Sequence, residues 1–130
     1  MISLVDAVAG VVKASGVRDV YVCAPSALLC SEPVVVRWRG FTRESRQPDE
    51  ERGVAELEVL VVRDEDLDAA RAASACERAL RAASREDLNE SLDGVRVLGV
   101  DTCPLERVCT DRSGRAVWRV RCLLTVAREM

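Results

Sequence analysis

Arg115-Ala116-Val117-Trp118-Arg119-Val120-Arg121-Cys122-Leu123-Leu124-Thr125-Val126 is the stretch that decides the fold. Trp118, Val120, Cys122, Leu124 and Val126 fall on one side of an extended chain, while Arg119, Arg121 and Thr125 fall on the other. A period of two is the mark of a strand with one dry face and one wet face. The turn before it, Asp111-Arg112-Ser113-Gly114, supplies the residues that reverse a chain.

Working backward, Val95 to Val100 reads as another strand, followed by a loop through Cys103-Pro104. Asn89, Asp93 and Gly94 mark a polar link before it. Asp64-Glu65-Asp66 opens a helix with acid at its positive end, and Ala69, Ala73, Cys76, Leu80 and Ala83 trace one face to about residue 84. A face built mainly of alanine lies close to whatever it packs on but buries little area by itself. Residues 54 to 63 place Ala55, Leu57, Val59 and Val61 opposite Glu56 and Glu58. From Pro33, Val34, Val36 and Trp38 point one way and Val35, Arg37 and Arg39 the other. Paired antiparallel, these two strands bring Arg37 and Arg39 near Glu56 and Glu58, cross-strand pairs worth about 0.2–1 kcal/mol each. Between them, Gly40 to Gly53 is expected to be a long charged loop. Upstream, Arg18 to Cys23 reads as a short strand ended by Pro25. Residues 3 to 15, capped by Ser3 and striped with Leu4, Val5, Val8, Val11 and Val12, read as a first helix.

The expected fold is a single α+β domain over residues 1–130, an antiparallel-rich mixed sheet with two helices packed on one face. At 130 residues with 48% apolar content, such a domain buries a core without disulfides or a structural metal. The start, Met1 to Asp6, has no basic region ahead of its apolar residues, so the expectation is residence in the cytoplasm without a membrane partner.

The chemistry is defined largely by what the sequence lacks. Histidine is absent, which removes the commonest general base and metal ligand. Cys23, Cys30, Cys76, Cys103, Cys109 and Cys122 form no C-x-x-C pair, so zinc-ribbon and thioredoxin-like sites are not expected; Cys103 and Cys109 are the pair to watch for oxidation. No glycine-rich phosphate cradle occurs. A net charge of −3, with both signs interspersed, gives no field to attract nucleic acid, and two Trp, one Tyr and one Phe are too few for a base-stacking platform. The acids at 64, 65, 66 and 68 read as ordinary helix capping before a cation site. No catalytic group, cofactor or metal ligand is assigned, and the chain is expected to act by binding.

The segment order carries a family resemblance. An amphipathic first helix, "DVYVCAP", "VVVRWRG", a long polar connection, "AELEVLVV", one middle helix and the closing "DRSGRAVWRVRCLLTV" resemble the tail-terminator, tail-completion or minor capsid proteins of tailed bacteriophages and prophages. The closing piece carries most of it, with Asp111, Gly114 and Trp118 in the family's arrangement of turn and tryptophan. The resemblance implies a homo-oligomeric ring, usually a hexamer, that caps the tail tube and joins it to the head-completion proteins, assembled in the bacterial cytoplasm and carried into the virion. It makes the segment with Phe41, Arg43, Glu44, Arg46, Asp49, Glu50 and Glu51 one candidate contact surface, and the strand face with Arg37, Arg39, Glu56 and Glu58 a second. Two other readings stay open. One is a ferredoxin-like, dimeric small-ligand or regulatory domain. The other is an enzyme using Asp, Glu or Cys, whose mark would be a low-pKa, fast-reacting cysteine.

Overall fold

A computed structural model describes residues 2–26, 28–90 and 92–129. Its elements run α1 (Ile2–Ala14), β1 (Val20–Tyr21), β2 (Val34–Arg46), β3 (Glu50–Arg63), α2 (Asp66–Ala82), α3 (Arg85–Asn89), β4 (Val95–Thr102), β5 (Glu106–Thr110) and β6 (Ala116–Glu129). The sheet order is β1-β2-β3-β6-β4, with β5 beside β4 on the same flank of β6. Among the described residues only the β1–β2 pair is parallel, so the sheet is mixed and antiparallel-rich.

Alternation along β2, β3 and β6 builds the core. Val34, Val36, Leu57, Val59, Val61, Val120, Cys122 and Leu124 are fully buried on the inner face. Against them lie Leu4, Val8 and Val12 of α1 and Ala73, Cys76 and Leu80 of α2. The small side chains of α2 let it pack over both β3 and β6, and α1 packs against β2, α2 and α3. Among the described residues, the outer face of β2, β3 and β6 carries no helix.

Four expectations need correction. The segment from Gly40 to Gly53 is no loop: β2 and β3 continue as a hairpin pairing through Arg46 and Glu51, closed by Pro48-Asp49 between the Gln47–Glu50 hydrogen bonds. Proline presets φ for the first central turn position, which allows this tight closure. Second, α3 is an additional helix, begun by a reciprocal cap between Ser84 and Asp87. Third, β5 is an additional edge strand inside the expected loop. Fourth, Ser3 is already helical in α1, and β1 spans two residues only. The winding also differs from the β-α-β-β-α-β order of a ferredoxin-like domain, since three strands precede α2 and three follow α3. The Asp111 to Gly114 turn is as expected. Gly114 takes φ 82°, a conformation that favours glycine, while Asp111 Oδ1 accepts from the Ser113 and Arg115 amides at 2.9 Å each.

Candidate protein-contact surfaces

The outer sheet face brings together all four sequence-derived candidates there. Arg37, Glu58 and Arg121 occupy one register line across β2, β3 and β6. Arg37 Nε donates to Glu58 Oε1 at 2.5 Å, and Arg39 and Arg119 approach Oε2 at 3.9 and 3.6 Å. Glu58 is 0% exposed although no helix covers it; the arginine side chains lie around it. Its Oε2 has charged neighbours and, among the described residues, no hydrogen bond. Glu56 meets Arg121 at 3.7 Å, and Glu106 of β5 holds Arg119 at 2.7 Å and Arg121 at 3.6 Å. The hydrogen bond that Arg119 donates to Glu106, then the charges of Glu106 and Glu58, raises the Arg119 pKa above its ordinary value. The result is a lattice in which Glu58 is the hub. It presents half-exposed guanidinium groups and keeps its own carboxylate inside.

Replacing Glu58 by alanine is expected to destabilise the domain by about 1–3 kcal/mol, the cost of a broken buried pair reduced because the arginines remain half-exposed. Glu58→Leu should cost less than Glu58→Ala, since it refills the volume. Urea unfolding of the two variants checks the order.

The hairpin candidates divide in two. Phe41, Arg43 and Glu51 turn to the inner face beyond the helices. There Arg128 lies 5.1 Å from the Phe41 ring centre and bonds Glu51 at 2.6 Å, and Arg43 approaches Glu51 at 3.9 Å. Glu51 is buried, so like Glu58 it holds arginines and does not reach outward. Glu50 bonds Arg52 at 2.6 Å and faces Arg96 at 3.9 Å. Glu44, Arg46 and Asp49 stand exposed near the tip, with no ion pair among the described residues. Sequence reading missed Arg128, Arg96 and Glu106, because their partners are set by the register of β6 with β3, β4 and β5.

Of the acids at the start of α2, Asp66 and Asp68 meet side chains, Asp68 facing Arg63 at 4.0 Å, while the N-cap Glu65 makes no capping hydrogen bond with its side chain. Asp66 accepts from Arg107 Nε at 2.8 Å and from Trp118 Nε1 at 3.0 Å, and these bonds, Arg107 first, hold its pKa below 3.8. Asp111 is likewise depressed, mainly by the Arg115 amide, and Glu32 is lowered from 4.5 mainly by the Asp64 amide. Folded values below unfolded ones mean that these groups add stability fully above pH 3.8–4.5, and that it is lost as pH falls through the lower folded values. Urea midpoints should therefore be level near neutrality and decline under acid. Asp66→Asn should flatten that decline.

No thiol pair is bonded. Burial pushes Cys76 up to about 11 and Cys122 up to about 12, the opposite of an activated thiolate. Alkylation followed by mass spectrometry should modify the exposed Cys23 and Cys109 first, and Cys76 and Cys122 only after unfolding. Rapid labelling of either buried thiol in the folded chain would contradict the packing. Among the described residues no group of three or more His, Cys, Asp or Glu is placed to hold a metal, and no helix is long and apolar enough to cross a membrane.

No family model matches the chain, and no curated protein matches its sequence. Among solved structures, a chain of the "Virion of native gene transfer agent (GTA) particle" is similar, with 17% identity, a TM-score of 0.55, and coverage of 92% of this chain and 84% of that one. That likeness shows the fold. It spans nearly the whole chain.

Proposed function

We propose that this chain is a structural protein of a phage-like virion, one that ends the tail tube and joins it to the head as a ring of identical subunits. The observation that carries the reading is the shared fold over 92% of the chain with a protein of a gene transfer agent virion, reached independently of the segment order that resembles tail terminators. The use of charge supports it. Glu51, Glu58, Asp66, Glu106 and Asp111 each hold an arginine, an arrangement that shapes surfaces and leaves none of these carboxylates free as an acid or base. The chain then acts by contact alone, through its arginine-bearing sheet face, its projecting hairpin and its helical side.

The test is the company the protein keeps. Phage-like particles from the source cells, banded by density and analysed by mass spectrometry, should contain the chain in ring-like proportion, well below the major capsid protein. Flanking genes should encode portal, major capsid and tape-measure proteins. Absence from intact particles, together with an operon free of virion genes, would sink the reading.

A further inference from the structure

Among the described residues, the one segment that exposes consecutive large apolar side chains is the turn between β1 and β2. Leu28 is 101% exposed and Leu29 is 72% exposed. The turn is hydrogen-bonded, with Ser26 O accepting from the Leu29 and Cys30 amides at 3.0 Å each. Its base is pinned to the sheet: Arg63 Nη1 donates to Glu32 O at 2.5 Å, the Asp64 amide to Glu32 Oε2 at 2.8 Å, and Arg115 to Ser31 O. The fold thus holds two leucines in water on a fixed support. Such exposure opposes the hydrophobic effect unless another surface covers it.

A receiving surface lies on the helical side of the same chain. Between α1, the end of α2 and α3 runs an open groove of about 530 Å³, floored by Gly10, Ala14, Ala79 and Ala83. Gly10 sits in the interior of α1, where glycine weakens a helix, and a Cβ there would meet nothing within 4 Å. Among the described residues no close approach explains the missing side chain, and its absence keeps the groove open. The rim carries Asp6 and Glu90, without ion pairs among the described residues. The turn fastened to the leucine segment through Arg115 carries exposed Arg112, also without an ion pair.

We infer that the Leu28–Leu29 turn of one copy seats in the α1–α2–α3 groove of a second copy, with Arg112 meeting the Asp6 and Glu90 rim. Knob and groove are different surfaces of one chain, so the contact is head-to-tail, the kind that closes into a ring when the rotation allows. This deepens the ring reading and rests on it for the statement that copies meet.

The experiment uses the purified full chain, with mass followed by sedimentation and light scattering across a dilution series. Two variants are made: Leu28→Ser with Leu29→Ser, which alters the knob, and Gly10→Leu, which fills the groove and improves helix propensity. Each should weaken self-association at least about tenfold, as expected for removing a buried leucine contact, while thermal melts at dilutions where every chain is monomeric stay at or above wild type. Mixing the two variants should restore one intact interface and give a dimer that grows no further. The inference is overturned if the wild type stays monomeric at every concentration, if either variant assembles like wild type, or if the mixture gives no dimer. Any of these leaves the virion reading to the particle analysis, so the two failures are distinguishable. Capture of the leucine turn by a different virion protein, with wild-type chain monomeric, likewise overturns self-seating and not the virion role.

Discussion

Leu57→Ala is expected to lower unfolding free energy by about 2–5 kcal/mol, a large share of the roughly 5–15 kcal/mol that holds a domain of this size together. Leu57 is fully buried in the middle of β3, directly between Trp38 and Cys122 in the sheet register, and belongs to the cluster under α2. Truncation leaves a cavity that neighbours on three strands cannot all move to fill. Leu67→Ala, on the exposed first turn of α2, is the control and should change little. Urea unfolding reads both. A loss below about 1 kcal/mol for Leu57→Ala would mean that the alternation of β3 faces the other way.

Gly53→Val is expected to cost about 1–3 kcal/mol or more through overpacking. A Cβ at this position would lie 2.3 Å from the Thr42 carbonyl oxygen, 2.7 Å from Phe41 Cζ and 3.0 Å from Arg43 Cα. Two of those three atoms are backbone, so no rotamer change relieves the clash; β2 and β3 must part, and the Phe41–Arg128–Glu51 cluster goes with them. Phe41→Ala added to Gly53→Val should therefore fail to restore the thermal midpoint. Recovery in the double variant would show that only the ring was in the way. Gly10→Ala, with open space around its Cβ, should be neutral or stabilising.

These two sites mark the boundary of what the sequence reveals. The period of two in β6, in the first half of β2 and in the second half of β3 is unbroken, and there the two faces are assigned correctly from residues alone, although Val35 and Glu58 of the outer face are buried. Beyond Trp38 the pattern fails because register shifts occur between Trp38 and Gly40 and again between Arg43 and Ser45. A bulge moves later side chains to the opposite face, so a continuing strand looks like a charged loop. β5 escapes notice for another reason: it is five residues long on a sheet edge and almost wholly exposed, leaving no apolar face to trace. α3 carried a readable signal in Ser84 and Asp87, three apart, but five residues are too few for a stripe.

The candidate surfaces were legible to the same degree. Arg37, Arg39, Glu56 and Glu58 fall on one face by alternation. The enclosure of Glu58 does not, because it depends on arginines from two other strands, and Glu106 joins the lattice only through the unforeseen β5. The Phe41–Arg128 contact joins residues that only the pairing of β6 with β3 brings together. The leucine turn and its groove belong to surfaces that periodicity does not describe at all.

The most direct measurement is electron microscopy of particles from cells lacking this gene, beside the same cells with the gene restored. A head-to-tail joining role predicts filled or empty heads and separate tails, with joined particles returning on complementation. Normal numbers of intact tailed particles without the gene would contradict the account.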